Sequence, residues 1–149
     1  TIDPEFASTF SSFDFRAVTK QMHGWFVKLI QDAPPPGSIR ALHFGMCEII
    51  DGCELYVAGS NVFDVEDPEW ACRTDWAPEG RYAKIDAFSD LWSAVMDKTD
   101  EDDAWQAALA AAIVSLSEFL RLSDIRILLK HRELKFSTGF DDGDLYILK

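Results

Sequence analysis

Two strand-like runs separated by a single dipeptide constrain this chain more than any other feature. Ile39–Ile50 and Cys53–Ala58 flank Asp51-Gly52. Asp-Gly between such runs predicts a tight hairpin with a primed turn. Leu42, Phe44 and Met46 fall on one face of the first run. Cys53, Leu55 and Val57 alternate with Glu54 and Tyr56 in the second. One face of that strand is therefore expected to be buried and the other polar. A second Asp-Gly signal, Asp141-Asp142-Gly143-Asp144, joins Glu133–Phe140 to Leu145–Lys149 and predicts a second hairpin.

Helical periodicity fills much of the rest. Phe15, Val18, Met22, Trp25, Phe26 and Leu29 recur at three- and four-residue steps across Phe13–Gln31. Ser11 or Ser12 is placed to cap this helix, Asp14 suits its positive end, and Pro34-Pro35-Pro36 stops it. Gly24 interrupts it and is expected to mark a close packing partner. Phe88–Met96 predicts a short helix with Phe88, Leu91, Trp92 and Val95 on one face. Asp103–Leu122 predicts the longest, with a stripe of Trp105, Leu109, Ile113, Leu116 and Leu120, and alanines that permit close approach. Asp124–Leu129 reads either as a helical continuation or as the start of a strand. Strands and helices segregate rather than alternate. The predicted class is therefore α+β: a single domain with an antiparallel β-sheet built from hairpins and covered by about three helices. Thr1–Phe6, with Asp3-Pro4-Glu5-Phe6, reads as the remnant of a cloning junction, which leaves residues 7–149 as the domain.

Charge and composition narrow the function. The chain of 149 residues carries 26 acids against 14 bases, a net charge of −12. That sign disfavours a nucleic-acid partner and an anionic membrane surface. Hydrophobic residues at 48% provide for a real core and argue against disorder. The surplus of acid serves solubility, or it steers a basic partner inward. Cys47, Cys53 and Cys72 lack zinc-site spacing. Cys47 and Cys53 could face each other across the hairpin, and the alternative is reduced thiols in a cytosolic protein. His23, His43 and His131 are isolated from one another in sequence, and a nucleophile–base pair of Cys47 or Cys72 with His43 has no local motif behind it. The acidic turn at Asp141 lacks the ligand spacing of a calcium loop. No phosphate-binding glycine pattern is present. No catalytic residue, metal or cofactor is expected. Arg121, Arg126, Lys130, Arg132 and Lys135 form a basic strip that a solvated edge strand would account for.

The stretch between the hairpin and the second helix is acidic, aromatic and aperiodic. Asp64, Glu66, Asp67, Glu69, Asp75 and Glu79 surround Trp70 and Trp76. Rings supply contact area and carboxylates select arginine- and lysine-rich partners, so these eight residues are the expected partner-binding set. The competing expectation is that the two tryptophans pin the loop down. "ELYVAGSNVFDVEDPEWACRTDWAPEGRY" at 54–82, with "STGFDDGDLYIL" at 137–148, resembles the immunity proteins encoded beside bacterial polymorphic and contact-dependent toxins. The resemblance implies a cytoplasmic, single-domain inhibitor, monomeric or homodimeric. It would bind one toxin domain, basic in character, a nuclease being one such class, and do no chemistry itself. A non-catalytic adaptor or homodimeric subunit, and a small enzyme with a site assembled across the fold, are the alternatives.

Overall fold

The computed structural model describes Ser8, residues 10–130 and residues 132–148. The expectations for Thr1–Phe6, His131 and Lys149 lie outside the described residues. In chain order the elements are α1 (Phe15–Asp32), β1 (Ala41–Ile49), β2 (Gly52–Ser60), a 3-10 turn (Pro68–Cys72), α2 (Asp86–Lys98), α3 (Glu101–Leu120), α4 (Ser123–Leu128), β3 (Lys135–Phe140) and β4 (Tyr146–Leu148). The class is α+β, as expected. Asp124 and the residues after it form helix, which decides the reading left open above.

Both hairpins form, yet the sheet is mixed rather than antiparallel throughout. Its order is β2-β1-β3-β4. β1 pairs antiparallel with β2 and β3 with β4, while β1 and β3 run parallel at the centre, with Phe44 opposite Thr138. The correction has a topological cause. A parallel neighbour needs a long crossover, and α2, α3 and α4 lie between β2 and β3 and provide it. β3 is consequently an interior strand, so Lys135 does not guard an edge as the basic strip suggested. Arg132 instead donates to the carbonyls of Pro35, Pro36 and Ile39 and ties β3's entry to the end of the proline segment.

The first hairpin closes one residue earlier than Asp-Gly implies. Ile49 pairs with Gly52, which makes Ile50 and Asp51 the loop residues, and Asp51 takes the left-handed conformation at φ 59°. Gly52 is needed for another reason. A Cβ there would lie 2.3 Å from Ser89 Oγ. Ser89 sits on α2, accepts from Cys53 N at 3.2 Å and donates to Cys53 O at 2.9 Å, so the hairpin tip is clasped to the helix. The register also separates two cysteines. Cys47 pairs with Glu54 and Cys53 with Glu48, so the two thiols leave opposite faces of the sheet and cannot bridge. Burial pushes the Cys53 thiol up to about 12 and also raises Cys47, so both are thiols at neutral pH.

Leu42, Phe44 and Met46 face the helices, as their alternation predicts, together with Cys53, Leu55 and Val57 of β2. Phe44 meets Phe26 of α1 at 5.8 Å and Phe119 of α3 at 6.2 Å, and Phe26 meets Phe119 edge-on at 5.3 Å. The most deeply buried face of α3 is offset from the predicted stripe and shares Leu116 with it. Ala104, Ala107, Ala108, Ala111 and Ala112 are wholly enclosed with Leu116 and Phe119, while Trp105, Leu109, Ile113 and Leu120 flank them half-buried. The close approach expected of the alanines is their main role: without bulk on that face, neighbouring elements reach the helix backbone. Capping differs by a few residues from expectation. Asp14 Oδ1 accepts from Ala17 N to start α1, and Asp100 Oδ1 accepts from Asp103 N to start α3.

Gly24 has no close partner. It is exposed, and a Cβ built there meets nothing within 4 Å. The helix therefore carries glycine's entropic cost with no packing gain at that position. Gly24→Ala is expected to raise unfolding stability by about 0.5–1 kcal/mol, read as a higher midpoint in chemical denaturation. A loss would mean that the position is in contact after all.

Candidate functional site

The sheet face turned away from the helices carries His43, Gly45 and Cys47 of β1, Tyr56 of β2 and Ser137 of β3. Two side-chain pairs form there. His43 Nδ1 and Ser137 Oγ lie 2.8 Å apart, although the two residues are 94 positions apart in sequence. Tyr56 donates its phenol proton to Asp141. The Tyr56 ring lies across Gly45, its direct cross-strand partner: a Cβ on Gly45 would fall 2.2 Å from the ring. The missing side chain thus makes the seat for the ring.

Two walls rise over this floor. One is the 3-10 turn, contributing Pro68, Glu69, Ala71 and Cys72. The other is the β3–β4 connection, with Asp141, Gly143, Asp144 and Leu145. Between them lies a cleft of about 420 Å³ floored by His43 and Tyr56. The connection is a β-turn in which Gly143 N donates to Phe140 O at 3.0 Å, and Asp141 N donates to Met46 O. Gly139 is required before it, since a Cβ there would strike the Asp144 carbonyl at 2.4 Å and its φ is +159°. A second cleft, of about 290 Å³, opens on the other side of the same turn against Trp105 of α3. The turn at Asp141 is therefore a shared rim.

The expected partner-binding residues divide into two groups. Trp70 and Trp76 are buried, at 4% and 6% exposure, and offer no ring surface to a partner. This corrects the interface expectation for both and favours the pinning one. Trp76 exchanges backbone hydrogen bonds with Gly59 on the outer edge of β2, and its indole N–H donates to Ala33 O at 3.1 Å. Trp70 packs on Phe63 with ring centres 5.1 Å apart. Trp25 reaches from α1 to Gly80 O at 2.9 Å, and Ala83 N donates to Leu55 O. The long connection is thus stapled along β2 and onto α1. Its carboxylates remain outside: Asp64, Glu66, Asp67, Glu69, Asp75 and Glu79 are all exposed. Asp75 is engaged with Arg73, whose hydrogen bonds hold its carboxyl below the usual range. Asp64 and Asp67 each accept from the backbone two residues on, at Glu66 N and Glu69 N. No ion pair joins Asp64, Glu66, Asp67 or Glu69 to a cation among the described residues. Of the expected set, only Glu69 lines the His43–Tyr56 cleft.

The chemistry of the floor is that of neutral groups. Burial lowers His43 to about 4, against a smaller opposing effect of Asp141. Burial, with the hydrogen bond to Asp141 next, holds Tyr56 well above the ordinary phenol range. His43 is depressed and Cys47 is raised, the opposite of what a thiolate–imidazolium pair requires. Elsewhere, His23 bonds Asp124 across α1 and α4 and holds that carboxyl below its usual value. Among the described residues, no group of three or more His, Cys, Asp or Glu side chains is arranged to hold a metal ion. No helix among them is long and apolar enough to cross a membrane.

Two outcomes follow from this geometry. The unfolded chain protonates His43 near 6.5 and the folded chain only near 4. Over that window the unfolded state binds more protons, so this contribution to stability falls as the pH falls. The full effect is on the order of 3 kcal/mol. Wild type is expected to lose that much more than His43→Gln between pH 7 and pH 4 in chemical denaturation, and equal losses would exclude a buried neutral imidazole. Gly45→Ala is expected to cost about 1–3 kcal/mol through overpacking against Tyr56, measured in the same way. No protein-family model matches the chain, and no curated protein or solved structure matches it at a significant level.

Proposed function

We propose that this protein is a binding module that docks its acidic face onto a basic protein partner and covers that partner's cationic surface, in the manner of a toxin-neutralising immunity protein. The observation that carries the reading is the meeting of carboxylates from two distant segments around one cleft. Glu69 stands on one wall, Asp141 and Asp144 on the other. Asp64, Glu66 and Asp67 extend the same sign outward along the stapled loop. Loops built only for solubility have no need of four tryptophan and backbone anchors; a preformed surface does, because rigidity reduces the entropy lost on binding. The buried neutral floor suits recognition by shape and hydrogen bonding. Carboxylates on the rim speed encounter with a basic surface, and in a partner whose active-site cleft is cationic the docked domain excludes substrate.

The test is co-expression with the product of the gene that neighbours this protein's own, followed by association kinetics on the purified pair. Wild type is expected to rescue growth. Reversal of Asp64, Glu66, Asp67 and Glu69 to lysine is expected to slow association at least about tenfold at low salt and to flatten its salt dependence, with thermal stability unchanged. Unaltered kinetics in the reversed protein would reject this face.

A further inference from the structure

The second cleft lies on the helix side of the Asp141 turn, at the ends of β1 and β3. Met46, Glu48, Trp105, Phe140, Asp141 and Asp142 enclose about 290 Å³. Its walls are of two kinds. Trp105 and Phe140 meet near a right angle, at 79° with centroids 4.5 Å apart, and make an aromatic corner. Trp105 is itself braced: it packs against Trp92 at 5.8 Å, and its indole N–H donates to Glu101 at 3.3 Å. Facing the corner are three carboxylates from two strand ends, Glu48, Asp141 and Asp142. None of the three has a cation within ion-pair distance among the described residues. Asp141 keeps one oxygen on the Tyr56 hydroxyl.

Ring surface beside unpaired carboxylate is the chemistry that recognises an organic cation. A bare metal ion gains nothing from the rings, and a neutral apolar group would desolvate the acids with no return. A planar guanidinium uses both walls, stacking on a ring while its N–H groups reach carboxylate oxygens. We infer that this cleft is an anchor pocket for an arginine side chain of the basic partner. The inference rests on the docking reading above and deepens it. The acidic loop would govern approach, and the Trp105–Phe140 corner would hold one residue after contact.

The pocket can be tested without the partner. Nα-acetyl-arginine amide, its lysine counterpart and its neutral citrulline counterpart are titrated into the whole protein, and the Trp105 indole N–H is followed by NMR. Arginine is expected to shift that resonance saturably, lysine about threefold or more weakly, and citrulline not at all. A Glu48→Gln, Asp142→Asn protein is expected to bind arginine about tenfold more weakly with unchanged melting temperature. Absence of a saturable shift with arginine, or an equal response to citrulline, overturns the inference. If the double variant is destabilised, Trp105→Phe, which keeps a ring but loses the indole, replaces it, with ligand-induced shifts at the Phe140 and Asp142 amides as the readout. The two readings fail separately. Arginine binding here with no partner captured upholds the pocket and rejects docking as immunity. Partner association that is slowed by loop charge reversal but is indifferent to Glu48→Gln, Asp142→Asn upholds docking and rejects the pocket.

Discussion

The fold depends on how closely other elements can approach α3. Five alanines, all fully enclosed, line its inward face. Their small side chains leave room for the Phe26, Phe44 and Phe119 rings to meet at one point, where α1, β1 and α3 converge. α2 packs along the same helix and clasps the β1–β2 hairpin through Ser89. Replacing any of these alanines with a larger residue would push the helix off the sheet, since a close-packed interior has no slack. The sheet's other face then stays free of helices, and the long connection after β2 occupies part of it.

That division of faces organises the site. Residues that leave β1 toward the helices are apolar from Leu42 to Met46, with the exposed Glu48 at the strand's end, and those that leave on the far side include His43 and Cys47. The far side is polar enough to need internal pairing, which His43 with Ser137 and Tyr56 with Asp141 supply. Pairing fixes the floor in one geometry. It also joins the two hairpins, because each pair takes one partner from the β1–β2 hairpin and one from the β3–β4 segment.

Local features were legible in the sequence and non-local ones were not. Alternation in Cys53–Val57 and the periodicity of Phe15–Leu29 gave the correct buried faces, because both depend on neighbours a few residues away. Asp51-Gly52 located the hairpin but misplaced its loop by one residue, since Gly52 answers to Ser89 on a distant helix. The parallel pairing of β1 and β3 left no trace, for each strand's own alternation is the same with either neighbour. In α3 the stripe of large side chains drew the eye to the flanks, and alanine's small hydrophobicity hid the deeper face. The acidic character of the site was readable, but the contribution of Asp141-Asp142 was not. A hairpin turn explains every residue of that stretch until Tyr56 and Trp105 are placed beside it. Tryptophans in an aperiodic stretch looked like contact surface. Trp76 instead satisfies its indole on Ala33, a residue outside its own segment.

The parallel seam at the centre of the sheet governs when the cleft can form. Ser137 meets His43 across 94 positions of chain, so the ends of that interval come together only after a costly closure. The amino-terminal hairpin can assemble early from neighbouring residues, yet by itself it carries only half a floor and one wall. A nascent or partly melted chain thus lacks this cleft. The His43–Tyr56 cleft is an all-or-none property of the finished tertiary structure, and a fragment cut anywhere within the helical crossover would lack it until its missing half was supplied.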